Sequence, residues 1–151
     1  MPLQPWVLIP LLIFALICWL VFVLNLGAWL NGWWSLARAY PHTGHFDGKL
    51  RRFRSLHLGW GNYNGITTIG TNAEGLYLAM FVLFRPGHPP VFIPWDDVSA
   101  KVVRGWFWMQ YLELRFAKVP GLRVRISEKL GQQIATDANQ ALNTGGENET
   151  W

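Results

Sequence analysis

Residues 74–98 read EGLYLAMFVLFRPGHPPVFIPWDDV, and the punctuation of this stretch decides what kind of fold the chain builds. Residues 76–84 carry aliphatic and aromatic side chains on both parities of a two-residue repeat, which reads as a strand either buried on both faces or with one face covered by membrane or a partner. Arg85-Pro86-Gly87-His88-Pro89-Pro90 follows. Its prolines remove N–H donors and fix φ, so no regular element continues through it. Residues 91–95 resume as a short strand. Asp96 and Asp97 come next; neighbours on a strand point to opposite faces, so they make a poor acid/base pair and read as a turn or strand start.

Outward toward the C-terminus, residues 98–104, 110–117 and 122–126 continue the series of short β runs, the last two around a Pro120-Gly121 turn. Between them lies Gly105-Trp106-Phe107-Trp108-Met109. Read as strand, it sends Trp106 and Trp108 one way and Phe107 and Met109 the other, leaving one aromatic side exposed as a partner surface. Ser127 is a good N-cap with Glu128 in the first turn. Leu130, Ile134, Ala138, Ala141 and Leu142 then recur at helical spacing, predicting an amphipathic helix that ends near Leu142, with 143–151 a polar tail. Outward toward the N-terminus, 71–75 is a hairpin signal, and 62–69 and 50–58 are strands around Gly59-Trp60-Gly61. Residues 41–49 are turn-rich and read as a linker.

Before Arg38 the chain has no charged side chain, and residues 6–24, WVLIPLLIFALICWLVFVL, are apolar throughout. About 20 such residues at 1.5 Å each cross the ~30 Å hydrocarbon layer, so residues 1–40 are expected to be a single transmembrane anchor. Trp6 on one side and Trp29, Trp33 and Trp34 on the other are placed at the headgroup belts. The run exceeds the 7–15 apolar residues of a cleavable signal core and lacks a basic start, although Ala37-Arg38-Ala39 offers a cleavage-like spacing. Cys18, the single cysteine, follows a bulky isoleucine inside the run, which argues against lipid attachment. Arg38, Lys49, Arg51, Arg52 and Arg54 against Asp47 put the C-terminal part on the cytoplasmic side. Ala28 and Gly32 give the helix a small-residue spacing for close packing with another helix.

Seven short strands and a C-terminal amphipathic helix, with Glu74-Gly75-Leu76-Tyr77-Leu78 and the later Ile93-Pro94-Trp95-Asp96-Asp97-Val98, resemble bacterial membrane-anchored pleckstrin-homology-like domain proteins over residues 50–142. The resemblance implies an α+β chain: a single transmembrane helix, then a small antiparallel β-barrel or sandwich of about seven strands capped by a C-terminal helix. It also implies an adaptor or a binder of lipid or protein, located in the bacterial inner membrane.

A search for chemistry returns little. His42 and His45 form an H-x-x-H pair without a third ligand of metal-site character. His57 and His88 lack nucleophile or carboxylate partners at motif spacing, and Gly59, Gly61 and Gly65 match no phosphate loop. No catalytic residue, metal or other cofactor is expected. The net charge of +4 with ten tryptophans suits a membrane surface better than nucleic acid, and no small-molecule substrate is predicted. The expected partners are membrane lipid, with Lys49, Arg51, Arg52 and Arg54 meeting anionic headgroups, and other membrane protein subunits. Trp106, Phe107, Trp108, Ala28 and Gly32 are assigned to the partner surface. The expected role is that of a non-enzymatic accessory or scaffolding subunit, the alternatives being an anionic-lipid sensor and an enzyme with a dispersed site near His88.

Overall fold

The first apolar run folds as expected. In the computed structural model, which describes residues 4–146, helix α1 spans Pro5–Leu30 and includes Pro10 near its start. It is long and apolar enough to cross a membrane, and none of Trp6–Val23 is buried against the rest of the chain. A second, short helix, α2 (Trp33–Ala39), follows after Asn31 and Gly32.

Seven antiparallel strands then form one curled sheet, a half-barrel: β1 (Lys49–Leu58), β2 (Gly61–Thr71), β3 (Gly75–Met80), β4 (Val91–Pro94), β5 (Val98–Arg104), β6 (Gln110–Phe116) and β7 (Val119–Ser127). Their order across the sheet is β4-β3-β2-β1-β7-β6-β5. Alternation selects the inner face: Leu56 and Leu58, Leu76 and Leu78, Leu114 and Phe116, and Val124 and Ile126 are all buried there. Helix α3 (Glu128–Gly146) lays Leu130 and Ile134 into the half-barrel, and Gly131 lets it approach Leu112 closely. It runs past the Leu142 stop expected from its periodicity; residues 147–151 of the expected tail lie outside the described residues.

The anchor and linker boundaries differ from the sequence reading. Trp33, Leu36, Ala37 and Tyr40 are core residues, so α2 belongs to the domain and packs beside β7. The linker is not free either. The Phe92 N–H donates to the Tyr40 carbonyl and the His42 N–H to the Pro90 carbonyl, so 40–42 runs along β4 and covers that edge of the sheet. Phe46 stacks on Tyr77 at 4.5 Å, on the outer face of β3. This explains why β3 is apolar on both parities: Leu76 and Leu78 face the core, while Tyr77 and Ala79 lie under Phe46 and Phe92.

Two stretches expected as strand are turns. Val82–Phe84 is a 3₁₀ turn that leaves the sheet once the Phe81 N–H has donated to the Ile66 carbonyl. Residues 106–108 form an irregular turn between β5 and β6, closed by the Gly105 N–H donating to the Met109 carbonyl at 2.7 Å. The expected strand alternation of its aromatics does not apply.

Candidate functional site

Where α1 meets the sheet, the chain is tightly built. Gly32 has φ +82°, a conformation that favours glycine, and a Cβ there would lie 2.6 Å from Leu122 Cδ1, so the leucine tip would also have to move. Gly59 and Gly61 press against Asn31 in the same way, a Cβ at Gly59 falling 2.8 Å from the Asn31 carbonyl oxygen. The Trp33 indole N–H donates to the Pro89 carbonyl at 2.9 Å, and its ring meets His88 edge-on at 5.5 Å. Tyr63 Oη lies 3.4 Å from both His88 Nε2 and Asn31 Nδ2. The proline loop, β2 and the end of α1 therefore share one buried cluster. A tryptophan as buried as Trp33 typically contributes roughly 3–5 kcal/mol over alanine.

His88 is buried, which lowers its pKa; the nearby Phe84 carbonyl opposes that shift. Burial also raises the Tyr63 hydroxyl, partly offset by Asn31. His88, His57 and Asp97 are not brought together. His57 lies on the outer face of β1 with its ring 6.4 Å from Tyr111, and Asp97 lies beside Tyr40. His42 packs among Phe46, Tyr77 and Phe92, while His45 is exposed. No cluster of three potential metal ligands occurs among the described residues.

The expected lipid-contacting cations separate. Lys49 Nζ lies 2.9 Å from Asp137 Oδ1, and the Arg51 guanidinium abuts the same carboxylate, which also accepts from the Thr71 hydroxyl at 3.1 Å. Burial pushes the Asp137 carboxyl up, but Arg51, Lys49 and Thr71 outweigh it and hold the pKa below the usual aspartate value. These two cations fasten α3 to β1 rather than face a membrane. Arg52 and Arg54 are exposed.

The expected interfacial tryptophans separate too. Trp6 is exposed near the start of α1, whereas Trp33 is in the core and Trp34 packs half-buried against it. Gly32 lies beyond the end of α1 and packs on Leu122, so it is no part of a helix-packing stripe. The side chains of Ala28, Trp29 and Trp106 lie outside the described residues.

Phe107 and Trp108 are exposed, Trp108 at 97 %. Their backbones have φ +54° and +65°, and Phe53 has φ +56°. These three are the non-glycine residues with positive φ among the described residues, and each displays an aromatic ring to solvent. An L side chain in the left-handed region costs about 1–2 kcal/mol. Phe53 sits in an irregular stretch of β1, inside the register shift that separates Arg51 from Arg54. Its ring lies 6.0 Å from Phe81, and with Val82 it lines a groove of about 270 Å³. Leu83 is exposed close by in the chain. The sequence reading marked residues 78–84 as a stretch that membrane or a partner could cover, but missed Phe53 and the early end of β3, because an alternating pattern reveals neither a bulge nor a strand end. Comparisons with known protein families, curated proteins and solved structures gave no match.

Proposed function

We propose that this chain is a non-enzymatic, single-pass accessory or scaffolding subunit that binds a protein partner at a membrane surface. In this reading α1 crosses a bacterial inner membrane with its N-terminus outside, and the half-barrel is a pleckstrin-homology-like module on the cytoplasmic side. The seven-strand order and the closing helix support the module, and the exposed apolar length of α1 supports the span. The observation that carries partner binding is the strained display of Phe53 and Trp108. With native stabilities of only about 5–15 kcal/mol, aromatic residues held exposed at such a cost are better explained by contact than by folding. Aromatic anchors dominate protein interfaces.

The test places a photocrosslinking amino acid at position 53 or 108 of the full chain in its native membranes. One defined membrane protein crosslinked from either site, and lost from site 53 when Val82 and Leu83 are both changed to Ser, supports the reading. A chain that crosslinks to lipid alone, and purifies alone and monomeric in mild detergent, overturns it.

A further inference from the structure

The groove of about 270 Å³ beside Phe53 lies on the outer face of the sheet, and the strand register shows what builds it. Arg51 pairs with Ile69, a core residue, so its neighbours Leu50 and Arg52 face outward on β1. Thr68 and Ala79, paired between β2 and β3, face outward for the same reason. Tyr77 and Ala79 form the floor, and Phe53 and Phe81 close one end. Two arginines complete the lining. Arg52 stands on the β1 side of the floor. Burial raises the Tyr77 hydroxyl pKa and the Arg85 charge opposes the rise, which puts Arg85 beside Tyr77 on the β3 side.

Size and charge together select an occupant. The volume falls just below the roughly 300–1,000 Å³ of small-molecule sites and suits one or two apolar side chains. No acidic side chain lines the groove, and neither arginine has a carboxylate within ion-pair distance among the described residues. Each can take a separate carboxylate beside the apolar floor.

The groove is also remote from the end of α1. The β1–β2 turn at Trp60 is the part of the sheet beside that end, because Gly59 and Gly61 press on Asn31, one residue beyond Leu30. Arg52 lies six residues back from Leu58 along β1, about 20 Å. A headgroup layer is only about 6 Å deep on each side of the hydrocarbon. With β1 leading away from the bilayer, the groove faces protein rather than lipid.

We propose that this groove takes an acidic–apolar segment of the partner protein. One large apolar side chain sits on Tyr77 and Ala79 against Phe53, and flanking carboxylates meet Arg52 and Arg85. This deepens the partner-binding reading and rests on it. The apolar anchor supplies most of the affinity, and the two charges select the partner and its register.

The test uses the full chain in mild detergent and a fluorescein-labelled peptide, Ser-Glu-Leu-Phe-Glu-Ser, read by anisotropy. Its counterparts carry Gln for both Glu, or Ser for both Leu and Phe. The acidic–apolar peptide should bind at least tenfold tighter than either. Arg52→Gln with Arg85→Gln should weaken it about tenfold, as expected of two exposed ion pairs. Lys101→Gln with Arg104→Gln removes the same charge from β5, at the far edge of the sheet, and should leave binding unchanged. Equal binding of the glutamine peptide, no weakening by the first pair, or equal weakening by both pairs overturns the proposal. Binding that appears only once residues 147–151, ENETW, are removed also overturns it, making the chain's own acidic segment the occupant. In native membranes, with the photocrosslinker at position 53, Arg52→Gln with Arg85→Gln should cut the partner adduct about tenfold. A full-yield partner adduct in that variant, or an adduct with a second copy of this chain, overturns the acidic-segment proposal alone. Lipid adducts alone overturn the partner reading beneath it.

Discussion

Trp108 shows how one residue type can disguise a local structure. Phe and Trp in a row favour a strand, and neither Phe107 nor Trp108 is the glycine or asparagine that a left-handed position normally takes. The structure turns there regardless, with φ +65° at Trp108. Because that side chain is almost fully exposed, its removal loses little packing, and the backbone decides the outcome. Trp108→Gly is expected to be more stable than Trp108→Ala by about 1 kcal/mol, measured by urea unfolding, since only glycine is relaxed at that φ. Both variants should lose partner crosslinking to the same degree if the ring is an anchor. His88 makes a second prediction at this scale. Burial lowers its folded pKa below the ordinary 6.5, so the unfolded chain takes up the proton first as pH falls. The stability from keeping His88 neutral is therefore complete above about pH 6.5 and declines below it. Urea midpoints at pH 7.5 and 5.5 should differ less in His88→Gln than in the native chain. An unchanged difference would mean that the buried imidazole does not set that part of the profile.

At the scale of elements, alternation of apolar residues made the strands legible, and the helical spacing of Leu130 and Ile134 made α3 legible. Leu56, Leu58, Val124 and Ile126 occupy the inner face that the pattern assigns them. The pieces that escaped are those whose role depends on distant partners. Phe46 looks like a linker residue until Tyr77, far along the chain, is found beneath it. Trp33 has the composition of a membrane-interface residue, and only the Pro89 carbonyl and the His88 ring mark it as core. Lys49 and Arg51 read as a charge cluster for lipid because Asp137, their partner, belongs to the last helix. That contact gives a prediction for α3. Asp137→Asn should cost about 1–2 kcal/mol, by loss of charge-assisted contacts at a largely covered carboxylate. The folded pKa of Asp137 is lowered, so its contribution is present above the ordinary aspartate value of 3.8 and is lost as pH falls through the folded value. Acid unfolding below about pH 4 should be shallower in the Asn variant, and an identical acid limb would show that the pair is too solvated to matter.

For the whole molecule, the central claim is that the apolar helix and the half-barrel form one unit with a fixed end toward the bilayer. Asn31, Gly32 and Trp33 join α1 to the core through Leu122, Tyr63 and His88, leaving no free tether between them. The two ends of β2, an 11-residue strand, should then sit at different depths. The turn at Trp60 lies beside the helix, and the hairpin at Ala73 lies roughly 30 Å away along the strand. The direct measurement places a spin label at position 60 or 73 of the full chain, in a Cys18→Ala background, reconstituted in vesicles. Power saturation compares collisions with oxygen and with a water-soluble relaxant. A label at position 60 with the oxygen-rich signature of the headgroup region, and one at 73 fully aqueous, is the predicted result. Equal aqueous exposure at both positions would contradict the account.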